Sequence, residues 1–102
     1  MGTTGPELDH AAQLLHLLGE PTRLALLVLL QDQELGVGEL ARRLDRPVPA
    51  VSQHLARLRT AGLVQVRRRG ASSLYSQPDE ALARLVAAAL QYSEDVLDGR
   101  PR

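Results

Sequence analysis

Residues 39–75 constrain this chain more than any other stretch, because the apolar spacing there switches from helical to strand-like within a short span. Glu39–Leu44 reads as a short amphipathic helix, with Leu40, Ala41 and Leu44 facing inward and Arg42 and Arg43 outward. Asp45-Arg46-Pro47 breaks it, since a residue before proline avoids helical geometry. A second helix, Ala50–Ala61, follows Pro49 and ends at Gly62, a residue type that adopts a left-handed cap without strain. Two strand-like runs, Leu63–Val66 and Ser73–Ser76, then flank a tip of Arg67-Arg68-Arg69-Gly70. Helix, turn, helix and basic hairpin, in that order, can place the second helix in a major groove and set the hairpin against nearby phosphates.

The second helix sorts its residues by angle. With Val51 at zero and about 100° per residue, Leu55 falls near about 40° and Leu58 near about −20°, which defines a buried side. Gln53 then lies at about 200° and Arg57 at about 240°, opposite that side. A helix entering the groove by its N-terminal end would bring Ala50, Ser52, Gln53 and Arg57 toward the bases. Gln bonds bidentately to adenine, and an Ala methyl can touch a thymine methyl. His54 and Arg59 are expected at the sugar-phosphate backbone. Arg67, Arg68 and Arg69 are expected to straddle phosphates or enter the minor groove, with Ser72 adding a hydroxyl bond to phosphate. The plainer alternatives are a solvated helix surface and an edge strand kept soluble by charge.

Charge distribution favours a polyanion. Formal charge over the 102 residues is zero, yet residues 1–41 carry −5, residues 42–69 carry +7 and residues 70–102 carry −2. Every basic side chain among these is Arg, whose planar fork suits phosphate and guanine. Cysteine is absent, which removes disulfides, zinc-thiolate sites and thiol nucleophiles together. Phe and Trp are absent as well, so Leu, Val and Ala must form the core. That composition suits helix-on-helix packing and suggests apolar surface reserved for a second subunit. With neither a signal peptide nor an apolar run long enough to span a bilayer, no membrane role is expected, and the expected location is cytoplasmic.

The rest of the chain reads as support. Residues 1–6 are expected to be a flexible N-terminus and residues 99–102 a flexible C-terminus around one domain, 7–98. Glu7–Leu18 has helical apolar spacing and stops at Gly19, and Thr22–Leu30 is apolar enough for a central helix. Pro78-Asp79-Glu80 opens a last helix that runs to about Leu97, with acids at its positive end. The expected class is mainly α with a small β-hairpin.

The blocks Glu20-Pro21-Thr22-Arg23-Leu24, Glu39-Leu40-Ala41, Val51-Ser52-Gln53-His54-Leu55, Leu58-Arg59, Ala61-Gly62-Leu63-Val64, Arg69-Gly70 and Tyr75 resemble the ArsR/SmtB family of bacterial repressors. The resemblance extends over about residues 8–97. It implies a winged helix-turn-helix homodimer on an inverted-repeat operator in double-stranded DNA, released by an inducer whose identity the sequence leaves open. It also implies dimerisation through the first and last helices. The leucine-rich stripes there fit, with Leu8, Leu15, Leu82, Leu85, Val86 and Leu90 as interface residues.

The chain departs from the family's metal sites. The cysteine pair that many members carry falls near Glu39-Leu40-Ala41-Arg42, without a thiol. The last-helix site falls on Asp79, Ala81, Tyr92 and Asp95, where both histidine positions are lost. Asp79 and Asp95 lie about 24 Å apart along one helix, so only antiparallel pairing across a dimer could join them. Two carboxylates without imidazole make a poor zinc, nickel or cobalt site. Asp79 is better read as a charge at a helix N-terminus. His10 and His16 are expected on different sides of the first helix. No metal and no cofactor are therefore expected.

Three rival functions remain in view. Ser72, Ser73 and the histidines offer no base-and-orienter arrangement for an enzyme, and no glycine-rich phosphate loop is present. A winged-helix module for protein partners would call for apolar or acidic residues where Gln53, Arg57 and Arg67–Arg69 stand. A metal sensor would require a nonstandard site at the dimer interface.

Overall fold

The computed structural model describes residues 4–99 and contains five helices and one hairpin: α1 Gly5–Leu18, α2 Pro21–Leu29, α3 Val37–Leu44, α4 Val48–Thr60, β1 Gln65–Arg69, β2 Ser72–Ser76 and α5 Glu80–Leu97. This is the element order expected of a winged helix-turn-helix. Residues 1–3 and 100–102 of the expected flexible termini lie outside the described residues.

Residues 4–6 depart from that expectation. Thr4 caps α1 in a reciprocal box: the Glu7 amide donates to Thr4 Oγ1 at 3.3 Å and the Thr4 amide donates to Glu7 Oε2 at 3.4 Å. Two orphan donors of the first turn are thereby satisfied, and Gly5 and Pro6 join the helix. Glu20 caps α2 in the same spirit, accepting from the Arg23 amide at 3.0 Å. Pro21 then occupies a first-turn position, where its missing N–H costs nothing.

The core is centred on α2, which packs against α1, α3, α4 and α5. Leu26 and Leu27 of α2 are fully buried with Leu40 of α3 and Val51, Leu55 and Leu58 of α4. Leu82 and Val86 of α5 complete the cluster at 7% and 1% exposure. The sequence placed these two residues in a dimer interface, and the structure corrects this. They are one turn apart on the side of α5 that meets α2, so the monomer already covers them.

Two tight caps set the angle between α3, α4 and the hairpin. Asp45 takes a left-handed conformation (φ 53°), and the Arg46 amide reaches back to the Ala41 carbonyl at 3.0 Å. Gly62 (φ 78°) does the same after α4, with its own amide on Arg59 O at 2.9 Å and that of Leu63 on Leu58 O at 2.9 Å. This double bond pattern closes the carbonyls that a helix end leaves open. It also moves the hairpin. Leu63 belongs to the cap and Val64 to the core, so β1 begins two residues later than expected.

The hairpin is antiparallel, with Val66 opposite Tyr75, Arg68 opposite Ser73 and Arg69 opposite Ser72. All three arginines therefore lie in the strand, and the turn falls on Gly70-Ala71, where Gly70 has φ 61°. The base of the wing is pinned to the body. Leu35 and Tyr75 exchange both backbone bonds, at 3.0 and 2.8 Å, and the amide of buried Gln77 donates to Leu30 O at 3.0 Å.

Candidate nucleic-acid interface

Helix α4 has two unlike sides. Val51, Leu55 and Leu58 are fully buried, which locks the helix's rotation about its own axis. Ser52, Gln53, Ala56, Arg57, Arg59 and Thr60 are consequently exposed, and Ala50 is half-buried at the first turn. A groove of about 390 Å³ runs between this exposed side and the wing, lined by Ser52, Ala56, Arg59, Thr60 and Tyr75. Tyr75 and Thr60 were not among the expected contacts. The strand alternation that turns Tyr75 this way is visible only once the register with Val66 is set.

His54 departs from its expected place at the sugar-phosphate backbone. It is half-buried, and Nδ1 lies 3.6 Å from Glu20 Oε2, with no hydrogen-bond partner for that buried nitrogen. Burial by itself would raise the Glu20 carboxyl. The Arg23 amide bond, the facing imidazole and the Thr22 amide outweigh it, so the group sits below its ordinary value. His54 thus sits where α4 meets the N-terminus of α2.

Three of the eight arginines in the basic segment are engaged internally. Arg67 forms a two-pronged bond with Glu34, Nε to Oε2 and Nη2 to Oε1, both at 2.6 Å. Those hydrogen bonds, foremost, hold Glu34 below the usual carboxylate range and raise Arg67. Arg43 bonds Glu39 at 2.7 Å and Arg42 bonds the same carboxylate, so Glu39 is lowered chiefly by Arg43 and next by Arg42. Among the described residues, Arg46, Arg57, Arg59 and Arg68 form no ion pair, and Arg69 makes none but adds a weaker through-space attraction to Glu34. Arg69 shares a strand face with Arg67, Arg68 projects from the other, and Ser72 is exposed beside Arg69.

No group of three or more possible metal ligands is present among the described residues. The two acids singled out by the sequence have other engagements. Asp79 Oδ1 accepts from the amides of Ala81 and Leu82 at 2.9 and 3.2 Å, which caps α5, and Asp95 Oδ1 accepts from Gln91 at 3.2 Å.

A buried-backed helix presented beside a basic wing defines a winged helix-turn-helix DNA-binding regulator. Comparison with known proteins narrows the class. Residues 20–66 match the family described as bacterial regulatory protein, arsR family. The chain is 40% identical over 90 residues to the HTH-type transcriptional regulator KmtR of Mycobacterium tuberculosis, covering 88% of this chain and 69% of that one. It is 40% identical over 91 residues to the HTH-type transcriptional repressor SmtB of the same species, covering 88% and 67%. Its fold superposes on the homodimeric winged helix-turn-helix domain Mb0332 of Mycobacterium bovis with a TM-score of 0.82 at 28% identity, covering 100% of this chain and 97% of that one. The chain belongs to the arsR family of transcriptional regulators. No helix among the described residues is long and apolar enough to cross a membrane.

Proposed function

We propose that this chain is a cytoplasmic homodimeric repressor that binds an inverted-repeat operator and reads each half-site with α4. The observation that carries this reading is the division of α4 into a fully buried face and an exposed one flanked by unpaired arginines. Gln53, with Ala50, Ser52 and Arg57, is assigned to base edges. Arg59, Arg68, Arg69 and Ser72 are assigned to phosphate and sugar. Arg67 is assigned mainly to the clasp with Glu34, which holds the wing at the angle its neighbours need.

The dimer is assigned to α1 and α5. Leu8 and Leu15 are 56% and 57% exposed, seven residues apart on one side of α1. Leu85, Leu90, Tyr92 and Val96 are also exposed along α5, and no residue after Val86 in that helix is buried. An isolated helical extension this short is marginal in water, and so many large apolar side chains exposed on two helices of one small domain fit an interface. SmtB is named a repressor and Mb0332 homodimeric, which supports both parts of the reading.

The test is binding of duplexes from the gene's own upstream region, followed by fluorescence anisotropy over a salt series. A dimer that neutralises roughly eight phosphates gives a slope of log affinity on log salt of about −7. A slope near zero would instead favour a protein-binding winged helix. Expression of a reporter behind the bound fragment should fall when the chain is supplied.

A further inference from the structure

We propose that the cleft between α1 and α4 binds a small organic anion with an apolar body, and that its occupation competes with DNA for Arg57. The first half stands on the cleft alone, while the second rests on the DNA-binding reading above. The cleft, of about 670 Å³, is bounded by α1, the start of α2 and the C-terminal half of α4. Pockets that enclose small ligands span roughly 300–1,000 Å³.

The lining specifies the chemistry. Leu14, Leu17 and Ala56 offer an apolar surface, and Arg23 and Arg57 bring two guanidinium groups. His10 and His16 line the same cleft, although their spacing had suggested different sides of α1. His16 lies at one edge of the lining arc of α1, and His10 lies between Leu17 and Leu14. No Asp or Glu lines it among the described residues, in a chain with 12 acids and 12 basic residues. Arg23 is held in place because its Nε donates to the Leu17 carbonyl at 2.6 Å. Its charge also attracts the Glu20 carboxylate outside the lining, whereas the guanidinium N–H groups of Arg57 have no hydrogen-bond partner among the described residues. Two planar forks and aliphatic side chains lining one cleft suit a carboxylate on an apolar ring or chain. A bare inorganic anion would leave the apolar lining unmatched.

The cleft is also coupled to the DNA face by position. Ala56 and Thr60 line both this cleft and the groove beside the wing, so the two sites share one segment of α4. An anion that engages Arg57 withdraws a cation from the exposed side of the recognition helix. The same group cannot serve a carboxylate and a DNA contact at once, so the two occupants must weaken each other reciprocally.

The probe is 2-naphthoate, titrated into the full isotope-labelled chain without DNA while backbone amide shifts are followed. Saturable shifts at Leu14, Leu17, Ala56 and Thr60 are expected, with the uncharged 2-naphthamide binding about tenfold more weakly. Gln13→Glu puts a like charge into an exposed part of the lining and should weaken 2-naphthoate about tenfold. The same carboxylate beside Arg57 should itself lower DNA affinity, so the effect of 2-naphthoate on DNA binding is read against each variant's own ligand-free affinity. On DNA, 2-naphthoate should weaken binding of the wild-type chain and leave Gln13→Glu unaffected at the same concentration. Equal binding of the amide, or an unmoved cleft, overturns the site. Cleft shifts that follow protein concentration and ignore 2-naphthoate mean that a second copy fills it, and overturn it too. Cleft binding with unaltered DNA affinity overturns the competition. Saturable cleft shifts in a chain that binds no duplex would support the site and contradict the DNA reading, so the two failures are separable.

Discussion

The reading head and the α1/α5 layer treat their apolar residues in opposite ways. In α3 and α4 the inward Leu and Val positions are covered, with Leu40, Val51, Leu55 and Leu58 fully buried. In α1 only Leu18 is buried, and in α5 only Leu82 and Val86. Leu8, Leu15, Leu85, Leu90 and Val96 stay exposed. The difference teaches that the DNA-facing unit is positioned by its own core, whereas α1 and α5 leave apolar side chains uncovered, which the proposed dimer would cover. Orientation of α4 is thus a property of the monomer, and on the proposed dimer avidity for two half-sites would be a property of the pair.

The sharpest way to break this contrast is Leu85→Glu. A charge in the proposed interface should dissociate the dimer and lower operator affinity by about 10²–10⁴, because two half-sites are no longer bound as one unit. Sedimentation and anisotropy together check it, and a surviving dimer would place the interface elsewhere. Leu55→Ala attacks the other region. Removing a fully buried side chain from α4 should cost about 2–5 kcal/mol of stability by denaturant unfolding. Its effect on association should be small if the two layers are independent.

Smaller effects separate residues within the reading head. Gln53→Ala should cost about 1–3 kcal/mol on the operator and relax discrimination at one base position. Equal losses on operator and random duplex would show that Gln53 reads no base. Arg68→Ala should weaken all sequences alike and make the salt slope shallower by about 1 for each phosphate left without its cation. Glu34→Gln should do the reverse for Arg67, freeing a cation, loosening the wing and strengthening nonspecific binding at low salt. The clasp also has a pH signature. Glu34 is depressed below 4.5, so its contribution is present above that value and fades as pH falls through the folded-state value. A titration of the Glu34 carboxyl resonance in wild type and Arg67→Ala checks the sign: the substitution should move its midpoint upward.

Much of this architecture was legible in the sequence, for physical reasons that differ by element. Helix α4 was readable because Val51, Leu55 and Leu58 follow the helical period and all three are buried in the one core cluster. The start of β1 was placed two residues too early, while β2 was placed to within one residue. Leu63 and Val64 are strand formers by type, but the first is drawn into the Gly62 cap and the second into the core. The apolar stripe of α5 was visible, yet a stripe does not reveal which neighbour covers it. Leu82 and Val86 face α2, and Leu85, one residue before Val86, does not. Arg67–Glu34 spans 33 residues and depends on the wing's final angle, so no local pattern announces it. The His54–Glu20 contact is hidden for the same reason, being a meeting of two helices.

The most direct test of the central claim is the affinity of the wild-type chain for its own upstream duplex against a scrambled duplex of equal length at about 150 mM salt. Reading by α4 predicts at least about 10³-fold preference for the native fragment. Equal affinity for the two duplexes would contradict the account.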